Sequence, residues 1–385
     1  MIEASRLKKV YGSASEGVHA VDGVSFDIAP GELFVIMGLS GSGKSTLLRM
    51  LNRLVEPTGG ELRIDGRDVL KMGDADLRDL RNRKINMIFQ HFALFPHRTV
   101  RENSAYGMRV RGVAEAERLE RADWALKTVG LGDRGDAYPD QLSGGQRQRV
   151  GLARALATDA EILLMDEPFS ALDPLIRRDM QDLLLKLQRD LRRTIVFVTH
   201  DLNEAMRLGD RIMVMRNGRV VQLGTATDIL HKPSCRYVRD FVSDVDRSRV
   251  LTASTIMREP LLTARVSDDP REVLRKLSNI EAGGVFVLED DGRIAGVAHD
   301  ELLARAAAEK CTSLRECLTD DYEQTGPDTL LVDLCRQVGR HAVPLAVTDD
   351  DGKLRGVVPR AALLTALSDA RTTDSSDTPK EAAHV

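Results

Sequence analysis

Nine residues, Gly38-Leu39-Ser40-Gly41-Ser42-Gly43-Lys44-Ser45-Thr46, leave this chain few folds to choose from. They fill the pattern G-x-x-x-x-G-K-[ST], which works only between a strand and a helix. The apolar run Leu33-Phe34-Val35-Ile36-Met37 precedes them at buried-strand length. The helix formers of Thr46-Leu47-Leu48-Arg49-Met50-Leu51 follow. Glycines let the backbone curl its N–H groups around phosphate oxygens, and the next helix adds the positive end of its dipole. In that setting Lys44 reaches β- and γ-phosphates and Ser45 holds Mg²⁺. The chain is therefore expected to be α/β, with a nucleotide at the head of one buried strand.

Further elements fall around this loop in order. Two short strands, 2–10 and 20–28, open the chain, and Tyr11 closes the first of them. An aromatic ring there can stack on an adenine or simply pack. The run Ile85-Asn86-Met87-Ile88-Phe89-Gln90 reads as a strand ending at Gln90, and an apolar loop, Phe92-Ala93-Leu94-Phe95-Pro96, comes next. Residues 114–130 have helical period. In Leu142-Ser143-Gly144-Gly145-Gln146, Ser143 is placed to cap the helix that follows, and the two glycines leave that helix N-terminus open as a second anion site.

Ile162-Leu163-Leu164-Met165-Asp166-Glu167 reads as a buried parallel strand ending in two carboxylates. Ligands of open α/β sheets sit beyond the carboxyl ends of strands, so both acids are expected on the loop side. Asp166 suits the Mg²⁺ shell, and Glu167 suits a general base for attack of water on a γ-phosphate. Thr194-Ile195-Val196-Phe197-Val198-Thr199 is a similar strand ending at His200, which is expected to contact the same phosphate. Strands on either side of Asn217-Gly218 read as a hairpin with a type I′ turn.

The rest of the composition mainly excludes. No run approaches the roughly 18 apolar residues of a membrane-spanning helix, and Met1-Ile2-Glu3-Ala4-Ser5-Arg6 does not read as a secretory leader. Cys235, Cys311, Cys317 and Cys335 show no C-x-x-C spacing, so neither a zinc site nor a disulfide framework is expected. The net charge of −4 is the difference between an excess of four positive charges in residues 1–250 and of eight negative charges beyond. That break marks a domain boundary, and neither half is basic enough to call for nucleic acid.

Past residue 255 the chain repeats itself. Residues 287–297 (VLEDDGRIAGV) align with 347–357 (VTDDDGKLRGV) at an offset of 60, with six of eleven positions identical. Each copy reads as strand, Asp-Gly turn, strand and helix, with a helical run ahead of it.

The order of Lys44 loop, Gln90, LSGGQ, Asp166-Glu167 and His200 resembles the ATP-binding-cassette ATPases over residues 1–235. This resemblance implies a P-loop ATPase domain with a helical subdomain and a head-to-tail homodimer. Each Mg²⁺-ATP would lie between one copy's Gly38–Thr46 loop and the other's Ser143-Gly144-Gly145-Gln146. It also implies that Tyr11 stacks on adenine, that Gln90 touches Mg²⁺ and transmits closure to a permease, that Asp173 belongs to the loop crossing the dimer, and that His200 is the switch histidine.

The repeat resembles a pair of cystathionine-β-synthase (CBS) motifs, 251–311 and 312–370, behind a linker at 236–250 and ahead of a tail, 371–385, expected to be disordered. In nucleotide-binding CBS motifs an Asp after the second strand holds a ribose; Asp300 fits that place in the first copy and Arg360 occupies it in the second. An ABC ATPase with such a pair is similar to the ATPase subunit of glycine betaine/L-proline importers. This implies a peripheral subunit on the cytoplasmic face of the inner membrane. It would bind a separate permease, with residues 92–96 as candidate contact, and work with an extracytoplasmic solute-binding protein. The alternatives are an importer of another solute, such as choline or another amino acid, and a non-transport ABC ATPase.

Overall fold

A computed structural model describes residues 1–12, 17–89, 94–243, 248, 250–280, 282–337 and 343–368. Gln90, Phe92, Ala93 and the 371–385 tail, all singled out above, lie outside the described residues. The chain divides into two compact units, Met1–Asp244 and Val245–Val385.

The first unit opens with β1 (Ile2–Tyr11) and β2 (Val18–Ile28), paired antiparallel. β3 (Leu33–Met37) and α1 (Lys44–Leu51) flank the phosphate-type loop. Then come β4 (Gly59–Ile64), β5 (Arg67–Asp68), α2 (Asp74–Asp79) and β6 (Ile85–Ile88). Three helices, α3 (Val100–Val110), α4 (Glu115–Thr128) and α5 (Gly144–Ala157), pack on one another. Alternation resumes with β7 (Ile162–Asp166), α6 (Pro174–Leu191), β8 (Thr194–Thr199) and α7 (Leu202–Leu208). The hairpin β9 (Arg211–Arg216) and β10 (Arg219–Gly224), then α8 (Ala226–His231) and α9 (Arg236–Val242), complete the unit. Asn217 and Gly218 both have positive φ, 49° and 77°, the signature of the type I′ turn.

Two sheets result. An antiparallel one runs β2-β1-β4-β5, and a second runs β10-β9-β3-β8-β7-β6, parallel except for β10. The strands at the middle of the second sheet are buried throughout, as runs of Val, Ile, Leu and Met flanked by other layers must be. Its core joins both sheets through α1: Leu47, Leu48, Met50 and Leu51 are fully buried among Ile2, Val24 and Phe34, and Phe26 stacks on Phe34 with ring centroids 5.4 Å apart. The adjacent parallel strands β3, β8 and β7 deliver their carboxyl ends, and hence Gly38, His200 and Asp166, to one edge.

The second unit consists of α10 (Ala253–Ile256), β11 (Thr263–Arg265), α11 (Pro270–Asn279), β12 (Gly284–Leu288), β13 (Ile294–His299) and α12 (Asp300–Ala308). It continues with β14 (Gln324–Thr325), α13 (Leu331–Gln337), β15 (Leu345–Thr348), β16 (Leu354–Val358) and α14 (Arg360–Ser368). Sheets β11-β12-β13 and β14-β15-β16 each have one parallel and one antiparallel pairing. The repeat holds to the residue: Val287 faces Gly296 and Leu288 faces Ile294 across an irregular register, as Val347 faces Gly356 and Thr348 faces Leu354. Arg293 bridges Lys353, its own counterpart 60 positions on, which places a local two-fold axis between the turns. The copies also exchange connectors. Thr319, ahead of the second copy, bridges Val297 of the first, and Arg258, ahead of the first, bridges Val357 of the second.

Candidate ATP site

The loop after β3 depends on its glycines for space as well as for conformation. A Cβ on Gly38 would stand 2.3 Å from the Met215 carbonyl oxygen, and one on Gly43, whose φ is 97°, would stand 2.1 Å from that of Ala20. Neither clash can be relieved by a side-chain rotation, so the β3–α1 turn is packed against β9 and β2 backbone. The result is a cradle of N–H groups at the N-terminus of α1. Ser42 Oγ is buried in it without a hydrogen-bond partner, the kind of polar atom a bound phosphate satisfies.

Lys44 is only 5% exposed and donates to the carbonyl oxygens of Gly38 (2.8 Å) and Leu39 (3.2 Å). Burial lowers its pKa, while the neighbouring charges of Glu167 and Asp166 act to keep it protonated. Glu167 Oε1 lies 4.0 Å from its Nζ. Ser45 donates to Asp166 Oδ1 at 2.6 Å. Asp166, buried at the end of β7, also accepts from Arg49 Nε (3.2 Å) and Nη2 (3.0 Å) on its other oxygen. Arg49 was not singled out from the sequence. It stands one helical turn beyond Ser45, and that spacing is the signal that places both side chains over the same carboxylate.

Glu167 adopts the left-handed region, φ 46°, which costs a non-glycine residue about 1–2 kcal/mol. Its N–H donates to Val198 O at 3.1 Å, so β8 holds the turn in place. The turn aims the carboxylate at His200, whose Nδ1 lies 2.9 Å from Glu167 Oε2. Strained backbone held by neighbouring strands is a feature that active sites concentrate. Lys44, Ser45, Asp166, Glu167 and His200 are thus one contiguous group, and the loop, the hydroxyl and the carboxylate fit a nucleotide triphosphate with a divalent ion.

Other residues named from the sequence lie apart from that group. Tyr11 is exposed, opposite Val18, with Lys9 Nζ 4.9 Å from its ring centroid. Ser143 caps α5 as expected: its Oγ accepts from Gln146 N (3.3 Å), and Gln146 Oε1 accepts in return from Ser143 N (3.0 Å). Gln146 therefore turns back on its own helix. Gly144 and Gly145, the glycines of the expected second anion site, are both half-buried. Gly144 faces open space, but a Cβ on Gly145 would meet Ile176 Cγ2 at 2.5 Å. Asp173 caps α6 through Ile176 N at 3.0 Å.

In the second unit Asp300 Oδ1 accepts from Glu301 N (2.8 Å) at the start of α12. Arg360 lines a cavity of about 500 Å³ with Arg258, Leu261, Phe286 and Val343. Among the described residues the cavity wall carries one carboxylate, Glu259, and Asp300 is not part of it. No group of His, Cys, Asp and Glu suited to hold a metal ion by itself occurs among the described residues. A cation at Ser45 and Asp166 would therefore rely on its nucleotide for further ligands.

Comparison with known proteins agrees with this geometry. The family model "ABC transporter" matches residues 21–170, and "CBS domain" matches 253–309 and 314–369. The glycine betaine/carnitine transport ATP-binding protein GbuA of Listeria monocytogenes is 47% identical over 90% of this chain and 87% of its own length. The glycine betaine transport ATP-binding protein OpuAA of Bacillus subtilis is 47% identical over 96% of this chain and 88% of its own. Among solved structures, the dimeric ATP-binding cassette MJ0796 bound to ADP and phosphate aligns at TM-score 0.54 and 38% identity, over 59% of this chain and 99% of that one. That structure covers 59% of this chain, whereas the two relatives match 90% and 96% of it. The chain belongs to the ATP-binding subunits of ABC transporters, as an ATPase joined to a CBS pair.

Proposed function

We propose that this subunit hydrolyses Mg²⁺-ATP to drive import of glycine betaine, proline or a related quaternary amine through a separate membrane permease. The observation that carries the catalytic part is the group Ser45–Asp166 (2.6 Å) and Glu167–His200 (2.9 Å) around the buried Lys44. Lys44 gives up its contacts with the Gly38 and Leu39 carbonyls to bind phosphate oxygens. Ser45 and Asp166 would hold Mg²⁺, which when bound would neutralise charge on the phosphates; the family resemblance assigns Gln90 to the same ion. Glu167 orients water and accepts its proton, and His200 fixes the Glu167 carboxylate and contacts the terminal phosphate. A second copy supplies Ser143-Gly144-Gly145-Gln146, and Asp173 lies in the loop between the copies.

The solute assignment is supported by the relatives named for glycine betaine transport. It includes an extracytoplasmic solute-binding protein as partner and the cytoplasmic face of the inner membrane as location. One experiment tests both parts: uptake of labelled glycine betaine by cells carrying the parent chain, the Glu167→Gln variant or neither, at low and high external salt. Only the parent is expected to support uptake, more so at high salt. The purified variant should bind ATP while its turnover falls by roughly 10²–10⁴. Normal turnover in the variant removes Glu167 as base, and salt-independent uptake without the chain removes the solute assignment.

A further inference from the structure

Helix α6 starts where three functional segments meet. Its Arg177 Nη2 donates to the Leu172 carbonyl at 3.0 Å, one residue ahead of Asp173. Nη1 of the same guanidinium donates to Asp201 Oδ2 at 3.2 Å, one residue after His200. Nε, buried and without a hydrogen bond, faces Glu204 Oε1 at 3.9 Å.

Both neighbours of His200 belong to this network. Asp201 Oδ1 caps α7 by accepting from the N–H groups of Asn203 (2.9 Å) and Glu204 (3.2 Å). Thr199 Oγ1 accepts from Asp201 N (3.0 Å) and donates to Glu204 Oε2 (2.6 Å). Gln181, one turn along α6 from Arg177, donates to Glu204 Oε1 at 3.2 Å. On the other side of the helix start, Ile176 is the side chain that leaves Gly145 no room for a Cβ. The His200 turn, the Ser170–Asp173 loop and the Gly145 end of α5 are therefore all anchored on one turn of one helix.

We propose that Arg177 is a positioning residue that locks the Ser170–Asp173 loop to the His200 turn, so that the phosphate-sensing side of one ATP site moves with the surface this chain presents to a second copy. The proposal rests on the reading that a second copy completes each site. A guanidinium suits the task because its planar fork engages a carbonyl and a carboxylate at once in fixed geometry. A lysine in its place could satisfy one of the two.

The test uses the full chain assembled with its permease and compares Arg177→Met and Arg177→Lys with the parent for ATP binding, kcat, KM and the Hill coefficient in ATP. Arg177→Met is expected to lower kcat by up to roughly 10²-fold, the cost of misplacing a reacting group by about 1 Å. It should leave the affinity for a fluorescent ATP analogue unchanged and bring the Hill coefficient to unity, and Arg177→Lys should restore part of kcat. Combined with Asp201→Asn, the loss should be less than the product of the single losses, because both act through one contact. The inference is overturned if Arg177→Met keeps the parent kcat and Hill coefficient, if the parent itself shows no cooperativity, or if kcat and nucleotide affinity fall together. Glu167→Gln run alongside separates the two levels. Should it turn over ATP normally, the site reading has failed; should it be silent while Arg177→Met resembles the parent, only the role of Arg177 has.

Discussion

Around Lys44, charged and polar groups from three separate segments converge: Ser45 on α1, Asp166 and Glu167 at the end of β7, and His200 after β8, with Arg49 behind them. In the repeated unit, comparable groups stay close to their own turns. Asp291 binds the backbone and side chain of Arg293 (3.1 and 2.7 Å), and Asp349 binds the N–H groups of Asp351 and Lys353 (3.1 and 2.9 Å) and Arg355 Nε (2.9 Å). The first arrangement uses buried polar atoms at a cost in stability. The second spends exposed carboxylates on holding a hairpin. Convergent, partly buried charge marks chemistry, whereas local, symmetric charge marks construction.

The sharpest way to break this contrast is to remove the charge at the convergence. Lys44→Met should abolish nucleotide-dependent stabilisation. In the parent, saturating ATP at about 100 times its Kd is worth about 2.7 kcal/mol and raises Tm; in the variant the added nucleotide should leave Tm where it was. A variant that keeps the parent's ATP-induced shift would show that the loop backbone binds phosphate unaided and that the charge convergence is not a binding device.

What the sequence disclosed follows the same division. The Gly38–Thr46 loop, the Asp166-Glu167 strand end and His200 were legible because their chemistry is carried by residue type at short range, next to strands with unmistakable apolar runs. The 60-residue repeat was legible because identity at fixed offset needs no fold to be seen. The contacts of Arg177 with Asp201 and of Gln181 with Glu204 were not, because α6 and α7 must first pack beside one another. The sequence marks Gly145 only as a glycine at a helix start; the fold adds that Ile176 fills the space where its Cβ would stand. The left-handed backbone at Glu167 is likewise set by Val198, on the strand beside it, and not by its own neighbours.

Symmetry in the second unit can be tested by substitution in pairs. Gly292 and Gly352 occupy equivalent turns with φ 87° and 77°, and neither has close neighbours where a Cβ would stand. Gly292→Ala and Gly352→Ala should each cost about 1–2 kcal/mol, from backbone conformation alone. Equal losses in denaturant unfolding would support the two-fold reading. A loss confined to one copy would show that the copies carry unequal shares of the fold.

The smallest expected effect separates the units by the sign of a pH dependence. Glu204, among Thr199, Gln181, Asp201 and Arg177, has its pKa raised above the usual 4.5, chiefly by burial. The folded unit therefore holds that proton more tightly than the unfolded chain, and Glu204's contribution to stability falls as pH rises through and beyond 4.5. Asp349 is lowered below the usual 3.8, first by its backbone hydrogen bond from Lys353, so its contribution is present above 3.8 and is lost as pH falls through the lower folded value. Thermal melts of the parent, Glu204→Gln and Asp349→Asn across the acidic to neutral range should show opposite trends. The parent-minus-variant difference in Tm should decline with rising pH for Glu204→Gln and grow for Asp349→Asn. Asp349 lies at the surface with its side chain 21% exposed and is screened by solvent, so its trend should be the weaker and should fade further at high salt. Two trends of the same sign would mean that the carboxylate in the first unit is held as an ion, and that the contrast between convergent buried charge and local surface charge fails at this position.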